Sequence, residues 1–437
     1  MRIAFFIKAA AFLCLLASGV RTRLDAVPLP AKGGRVDPSA KSDPADNKPE
    51  PGQGVHEGKQ IMVHYMPWYS SKPFSGEWGW HWTMNRFNPD KGGKGPDREL
   101  ASHYRPLIGP YDSNDPDALE CHVLLMKFAG IGGVIVDWYG IDDFNDYAVI
   151  HRNTSHLLRY IKKAGLKFAV CYEDQTVANM IKGGAIKKGE DVLHGKKTLQ
   201  WVQENWFTDD AYLRVGQRPL MLVFGPMHFI REQWHGIAAG LHPPPLLYCL
   251  PHLSQKANAD GIFGWPPVHG GKKIAPEAWR KYLRELYTRG RKGERVIAPV
   301  FPGFHDIYKQ AGVHESYGFL DDGDGKTFSE TLDLAWQSGC KLIQVATWND
   351  YGEGTIIEPT TTFGYRYLEV LQKRVGGKRG EAFTFTSAHL RLPVKLYQLR
   401  KQNKVERQAV EMLDRVSGLL FSSRCEEAAG LLRKIGG

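Results

Sequence analysis

The chain has 437 residues, 42% hydrophobic and 24% charged, with 12 Trp, 18 Tyr and 20 Phe, which suits a large globular core and excludes a low-complexity or fibrous protein. Its formal charge of +10 is small for the length and only mildly concentrated near the C-terminus (Lys378, Arg379, Arg391, Lys395, Arg400, Lys401). That pattern reads as a solvated helix face and not as a nucleic-acid surface. Six cysteines without CxxC or His-rich spacing argue against a zinc site or a disulfide framework, while leaving a single bridge open.

Residues 1–20 read as a secretory signal: Arg2 and Lys8 supply charge, Ala9 to Leu16 form the apolar centre, and Ala17-Ser18-Gly19 supply small residues. The apolar stretch is shorter than the ~20 residues a bilayer span needs. A secreted or periplasmic location is expected, with no membrane association beyond the export signal. Residues 21–58, rich in Pro, Gly, Lys and Asp, read as a disordered linker.

From residue 60 short apolar runs recur: Ile61–Met66, Gly133–Asp137, Lys167–Tyr172, Leu220–Phe224, Leu246–Leu250, Gly261–Trp265, Val296–Val300 and Leu342–Thr347. Continuous rather than alternating hydrophobicity is what parallel strands covered on both faces require. Helical patterns lie between most of them: Asp117–Ala129, Ser155–Ala164, Leu199–Trp206, Pro276–Gly290 and Ser329–Ser338. The expected fold class is α/β, a (β/α)8 TIM-type barrel over residues 59–375, with an open doubly wound sheet as the alternative. Only about ten residues separate the fifth and sixth runs, so that crossover is abbreviated or one strand is misplaced. Residues 376–437 are expected to form a C-terminal helical extension, with an amphipathic stripe from Leu396 to Leu420 that suits packing against the barrel.

In such a barrel the residues just past each strand share one rim and carry the chemistry. Here they are Pro67-Trp68-Tyr69, Asp137-Trp138-Tyr139, Tyr172-Glu173-Asp174, Trp265, Phe304-His305-Asp306 and Trp348-Asn349-Asp350-Tyr351-Gly352-Glu353. Carboxyls and large aromatics therefore gather at one end, the mixture that glycoside hydrolysis uses: an acid and its partner around the scissile bond, and flat rings against sugar faces. Taken singly, Asp137 fits a turn cap and Glu173 an arginine partner equally well. His64, His81, His103 and His305 lack HxH or HExxH spacing, so no metal and no cofactor is expected. Asp321-Asp322-Gly323-Asp324-Gly325 lacks the alternation of a calcium loop and reads as an acidic turn. No phosphate loop and no GxSxG occur.

The segment Thr347-Trp-Asn-Asp-Tyr-Gly-Glu353 resembles the active-site segment of glycoside hydrolase family 71, the α-1,3-glucanases. Its continuation Glu353-Gly-Thr-Ile-Ile-Glu-Pro359 resembles family 99, the endo-α-mannosidase and endomannanase group. Tyr65-Met-Pro-Trp-Tyr69, Phe168-Ala-Val-Cys-Tyr-Glu173 and Pro299-Val-Phe-Pro-Gly-Phe304 are similar to other pieces of the latter, so the resemblance covers roughly residues 60–375. It implies that Glu353 is the general acid. It also implies that Asp350 is the partner carboxylate, in the place of a family 99 glutamate that deprotonates the sugar 2-hydroxyl and, as in family 71, one methylene shorter.

The expected function is an exported hydrolase of α-linked glycans, α-glucan or α-mannan. Glu353 and Asp350 are its candidate catalytic residues, acting on a poly- or oligosaccharide. Trp68, Tyr69, Asp137, Trp138, Tyr139, Glu173, Trp265, His305, Trp348, Asn349 and Glu358 are candidate substrate contacts. A non-catalytic glycan-binding protein on the same barrel and a hydrolase of anionic polysaccharide are the alternatives.

Overall fold

Eight parallel strands close on themselves: β1 (Lys59–Tyr65), β2 (Gly133–Trp138), β3 (Lys167–Tyr172), β4 (Arg218–Val223), β5 (Leu246–Cys249), β6 (Gly261–Phe263), β7 (Arg295–Val300) and β8 (Leu342–Val345). Closure is made where β8 pairs in parallel with β1 (Ile343 opposite Ile61) and β1 with β2 (Val63 opposite Val134). The computed structural model describes residues 55–56, 58–91, 98–376, 383–402 and 407–435, all within one unit, Pro51–Gly437. The signal and most of the linker expected over residues 1–58 lie outside the described residues. The fold is the (β/α)8 barrel expected from the eight apolar runs, each of which contains a strand. Nearly every residue of β1 to β8 is buried, because the barrel interior covers one face and helices cover the other.

Helix α1 (Pro116–Phe128) opens with Asp115, whose Oδ1 accepts the Asp117 amide at 3.1 Å, and with proline at its first position. Helix α2 (Tyr147–Lys163) follows β2, and α3 (Asp191–Val202) and α4 (Arg231–Ala238) flank β4. Helix α5 (Pro276–Arg291) follows β6, α6 (Lys326–Gln337) follows β7 and α7 (Arg366–Gly376) follows β8. The β5–β6 crossover is a single helical turn, Ser254–Ala257, so the short spacing reflects an abbreviated helix and both strands are real.

Helix α1 is buried almost all round, including Glu120 and His122, because α8 (Arg391–Gln402) lies along it. Arg400 Nε meets Glu120 Oε2 at 2.8 Å, and Lys401 Nζ meets Asp117 Oδ2 at 2.6 Å and also Asp115. Helices α9 (Arg407–Phe421) and α10 (Cys425–Ile435) complete this layer, with Lys163 of α2 over the Phe421 ring at 4.2 Å. Helices α8, α9 and α10 therefore pack on the barrel wall. Cys121, Cys171, Cys249, Cys340 and Cys425 are all free thiols. The acidic turn at 321–325 is held by Arg366, 2.7 Å from Asp324, and by Lys273, 3.1 Å from Asp321.

Candidate active site

Strand alternation decides which rim residues face the barrel mouth, since successive side chains point to opposite sides. Asp137 turns inward at the end of β2, so Trp138 turns outward and is fully buried among Tyr172, Trp201 and Trp206, at ring separations of 5.0–6.4 Å. Glu173 follows β3 beside Asp137, to which it is hydrogen-bonded, and its amide donates to the Trp138 carbonyl at 3.1 Å. Asp174 looks away and is a tie: its two oxygens accept the amides of Met227, His228 and Phe229 at 2.7–3.1 Å, joining the ends of β3 and β4.

The turn after β8 supplies the other two carboxyls. The Asp350 amide donates to Thr347 Oγ1 at 2.8 Å, and Asp350 Oδ1 accepts the Glu353 amide at 3.0 Å. Gly354 has φ +67°, and a Cβ there would stand 2.6 Å from the His305 carbonyl oxygen, so only glycine lets this turn lie against residues 305–307. Two backbone bonds close that contact, His305 amide to Glu353 carbonyl at 2.9 Å and Ile307 amide to Gly352 carbonyl at 3.0 Å.

Glu353 Oε2 accepts the Trp265 indole N–H at 3.2 Å. Beneath Trp265 lies His64, edge-on at 4.8 Å, which bonds Gln344 at 3.2 Å. Burial pushes the His64 pKa down to about 4, so this imidazole is neutral at working pH.

Asp137, Glu173, Asp350 and Glu353 thus converge at the mouth, and among the described residues none of them is paired with Lys or Arg. Burial, then the Asp350 charge, drives Glu353 well above the usual carboxyl range. Asp350 is pushed up only to about 6, because the Glu353 and Gly352 amides offset part of its burial. Burial lifts Glu173 to about 7, and burial followed by the Glu173 charge lifts Asp137 well above normal. Such a site holds a protonated and an ionised carboxyl side by side, as acid–base chemistry requires. Among the described residues no group of three or more His, Cys, Asp or Glu is placed to hold a metal.

The structure brings Trp265 and Tyr139 to the same mouth, the latter beside Glu173 and Asp137. Trp68 is partly exposed and stacks on His81 at 4.3 Å, and His305 stacks on His103 at 3.6 Å. Five expected substrate contacts are not at the surface: Tyr69, Trp138, Trp348, Asn349 and Glu358 have at most 1% of their surface exposed. Tyr69, Asn349 and Glu358 brace the site through hydrogen bonds. Asn349 accepts the Met66 amide at 2.8 Å and donates to the Met66 carbonyl at 2.9 Å, while the Tyr69 hydroxyl bridges the Asn349 carbonyl (2.8 Å) and the Tyr351 amide (3.0 Å). Glu358 is held by Tyr111 at 2.9 Å and His122 at 3.1 Å. Sequence reasoning missed Tyr317, which the hairpin of Phe304–His305 with Gly318–Leu320 brings near Glu353 and Glu173. It has no strand-end position that could have flagged it.

A closed α/β barrel with indole rings and a carboxyl cluster at its C-terminal mouth, unpaired with any cation among the described residues, has the architecture of a glycoside hydrolase. The glycosyl hydrolase family 99 model matches residues 57–240. The glycoprotein endo-alpha-1,2-mannosidase-like protein of Mus musculus is 31% identical over 76% of this chain and 77% of its own length. The Homo sapiens protein of that name is 30% identical over 74% of each. The endo-alpha-mannosidase of Bacteroides thetaiotaomicron shares the fold at a TM-score of 0.54, with 19% identity over 74% of this chain and 98% of that one. The chain belongs to glycosyl hydrolase family 99.

Proposed function

We propose that this chain is an endo-acting α-mannosidase, with Glu353 protonating the leaving glycosidic oxygen and Asp350 as its ionised partner. The observation that carries the reading is the turn after β8, where two carboxyls bonded through one amide have proton affinities pushed apart by their surroundings. An acid whose proton affinity is raised well above normal, beside a carboxylate ionised above about pH 6, gives a rate that rises on the acid side with Asp350 and falls on the alkaline side with Glu353, as macroscopic values of the pair.

The α-mannoside assignment is supported by the names of the relatives, two endo-alpha-1,2-mannosidase-like proteins and an endo-alpha-mannosidase. The acidic mouth speaks against anionic polysaccharide, whose charge its ionised carboxyl, Asp350, would repel. Trp265, held by Glu353 and His64, offers a ring edge at the cleavage point, with Tyr139 and Trp68 further out and Glu173 placed for sugar hydroxyls. Export by residues 1–20 is part of the same reading, and N-terminal sequencing of the protein released from cells tests it.

Hydrolysis of α-mannan oligosaccharides by wild type and Glu353→Gln is the direct experiment. Loss of turnover by the variant, with partial rescue on a substrate whose leaving group needs no protonation, is expected. Turnover of α-1,3-glucan but not α-mannan by the wild type would overturn the substrate. Product stereochemistry by NMR shows whether Asp350 activates water, which inverts, or acts on the sugar, which retains.

A further inference from the structure

We infer that Asp306 is a positioning residue for Glu353, fixing the loop that carries it and keeping a negative charge beside it; this rests on Glu353 being the acid. Asp306 sits between the two backbone bonds, from His305 and Ile307, that bind the 305–307 segment to Glu353 and Gly352. Its own backbone carbonyl faces His103 Nε2 at 3.1 Å. Its Oδ2 accepts the Ser316 hydroxyl at 3.0 Å and the Tyr317 amide at 2.8 Å. Residue 306 therefore joins the Glu353 turn, held by the backbone of its two neighbours, to the 316–318 segment, held by its side chain, which carries Tyr317 into the mouth.

Asp306 is only 3% exposed, and its Oδ1 has no hydrogen-bond partner. A capping carboxylate of purely structural purpose would use both oxygens or be replaced by a neutral amide, because a buried unpaired acceptor costs free energy. The retained charge acts on its neighbours: Asp306 raises the proton affinity of Glu353, after burial and Asp350, and also that of Tyr308 and Tyr317. Facing it from the other packed segments are His314, the Tyr317 and Gly318 amides and the Ser316 hydroxyl, which favour its ionised form against burial, and His103.

Asp306→Asn tests the assignment, since an amide oxygen can still accept from Ser316 and Tyr317 while the charge is gone. With less negative potential nearby, ionised Glu353 becomes easier to form, so its pKa falls. The expected result is an alkaline limb of kcat/KM displaced to lower pH by several tenths of a unit, with KM and Tm near wild type. An alkaline limb that stays in place in a folded Asp306→Asn protein overturns the inference. Infrared titration of the Glu353 carboxyl, assigned by its disappearance in Glu353→Gln, reads the same displacement without substrate. A displaced infrared titration in an enzyme inactive on α-mannans would leave Asp306's role standing and defeat only the substrate assignment.

Discussion

Two acidic clusters in this molecule have opposite fates. On the outer wall, Asp115, Asp117 and Glu120 of the α1 segment are met by Arg400 and Lys401 of α8, each carboxyl with a cation within hydrogen-bond reach. At the barrel mouth, Asp137, Glu173, Asp350 and Glu353 face one another, an indole and tyrosines, with no cation among the described residues. The first arrangement satisfies its charges and holds a helix in place. The second has no cation to hold its carboxyls ionised, the arrangement that shifts proton affinities at sites where protons are exchanged. Charge pairing, more than acidity, separates the structural cluster from the reactive one.

The sharpest way to break this contrast is to neutralise the mouth. Glu353→Gln and Asp350→Asn should each lower kcat on an α-mannan oligosaccharide by ~10²–10⁴-fold, the usual range for removing a positioned acid or base. Because the Gln retains a hydrogen-bond partner for Trp265, its circular dichroism spectrum and Tm should not fall. Equal losses from both variants with unchanged KM would place both groups in the transition state.

The outer cluster should respond the other way. Arg400→Met leaves Glu120, whose side chain is 7% exposed, without its cation, and should cost ~2–4 kcal/mol in urea unfolding. Turnover at 25 °C should stay within about twofold of wild type, since Arg400 bonds Glu120 and Asp414 on the wall and no mouth residue. A several-fold drop in kcat for Arg400→Met would join the two regions and undo the distinction.

Much of this was legible in the sequence. All eight strands announced themselves as apolar runs, because a strand covered on both faces has no polar side to show. The Asp350–Glu353 turn was legible for the same reason, as a sudden polar break. What could not be read was which way each rim residue points. Trp138 and Trp348 look like stacking platforms, yet alternation sends Trp138 outward under the helices, and the Trp348 amide is bonded to the His64 carbonyl at 2.7 Å, with its ring buried. Asn349 and Glu358 have the polarity of contacts but find partners in Met66, Tyr111 and His122, which lie over 200 positions away in the chain. The Asp137–Glu173 bond joins neighbouring strands whose register no local pattern encodes.

That bond gives the smallest and most diagnostic effect. Burial lifts Glu173 to about 7, against an ordinary value of 4.5, so the folded protein holds a proton there that the unfolded chain has already released. Stability therefore falls as pH rises through the window from about 4.5 to about 7, the reverse of a salt-bridged carboxylate. Glu173→Gln keeps the shape and a hydrogen bond to Asp137 but cannot ionise. It should be no more stable than wild type at pH 4 and more stable at pH 8 by ~1–2 kcal/mol, a conservative share of about 1.4 kcal/mol per unit of displacement. Urea unfolding at the two pH values measures it. A Gln variant that loses stability at pH 8 would mean that Glu173 is ionised and compensated in the fold, and the mouth would then resemble the outer wall after all.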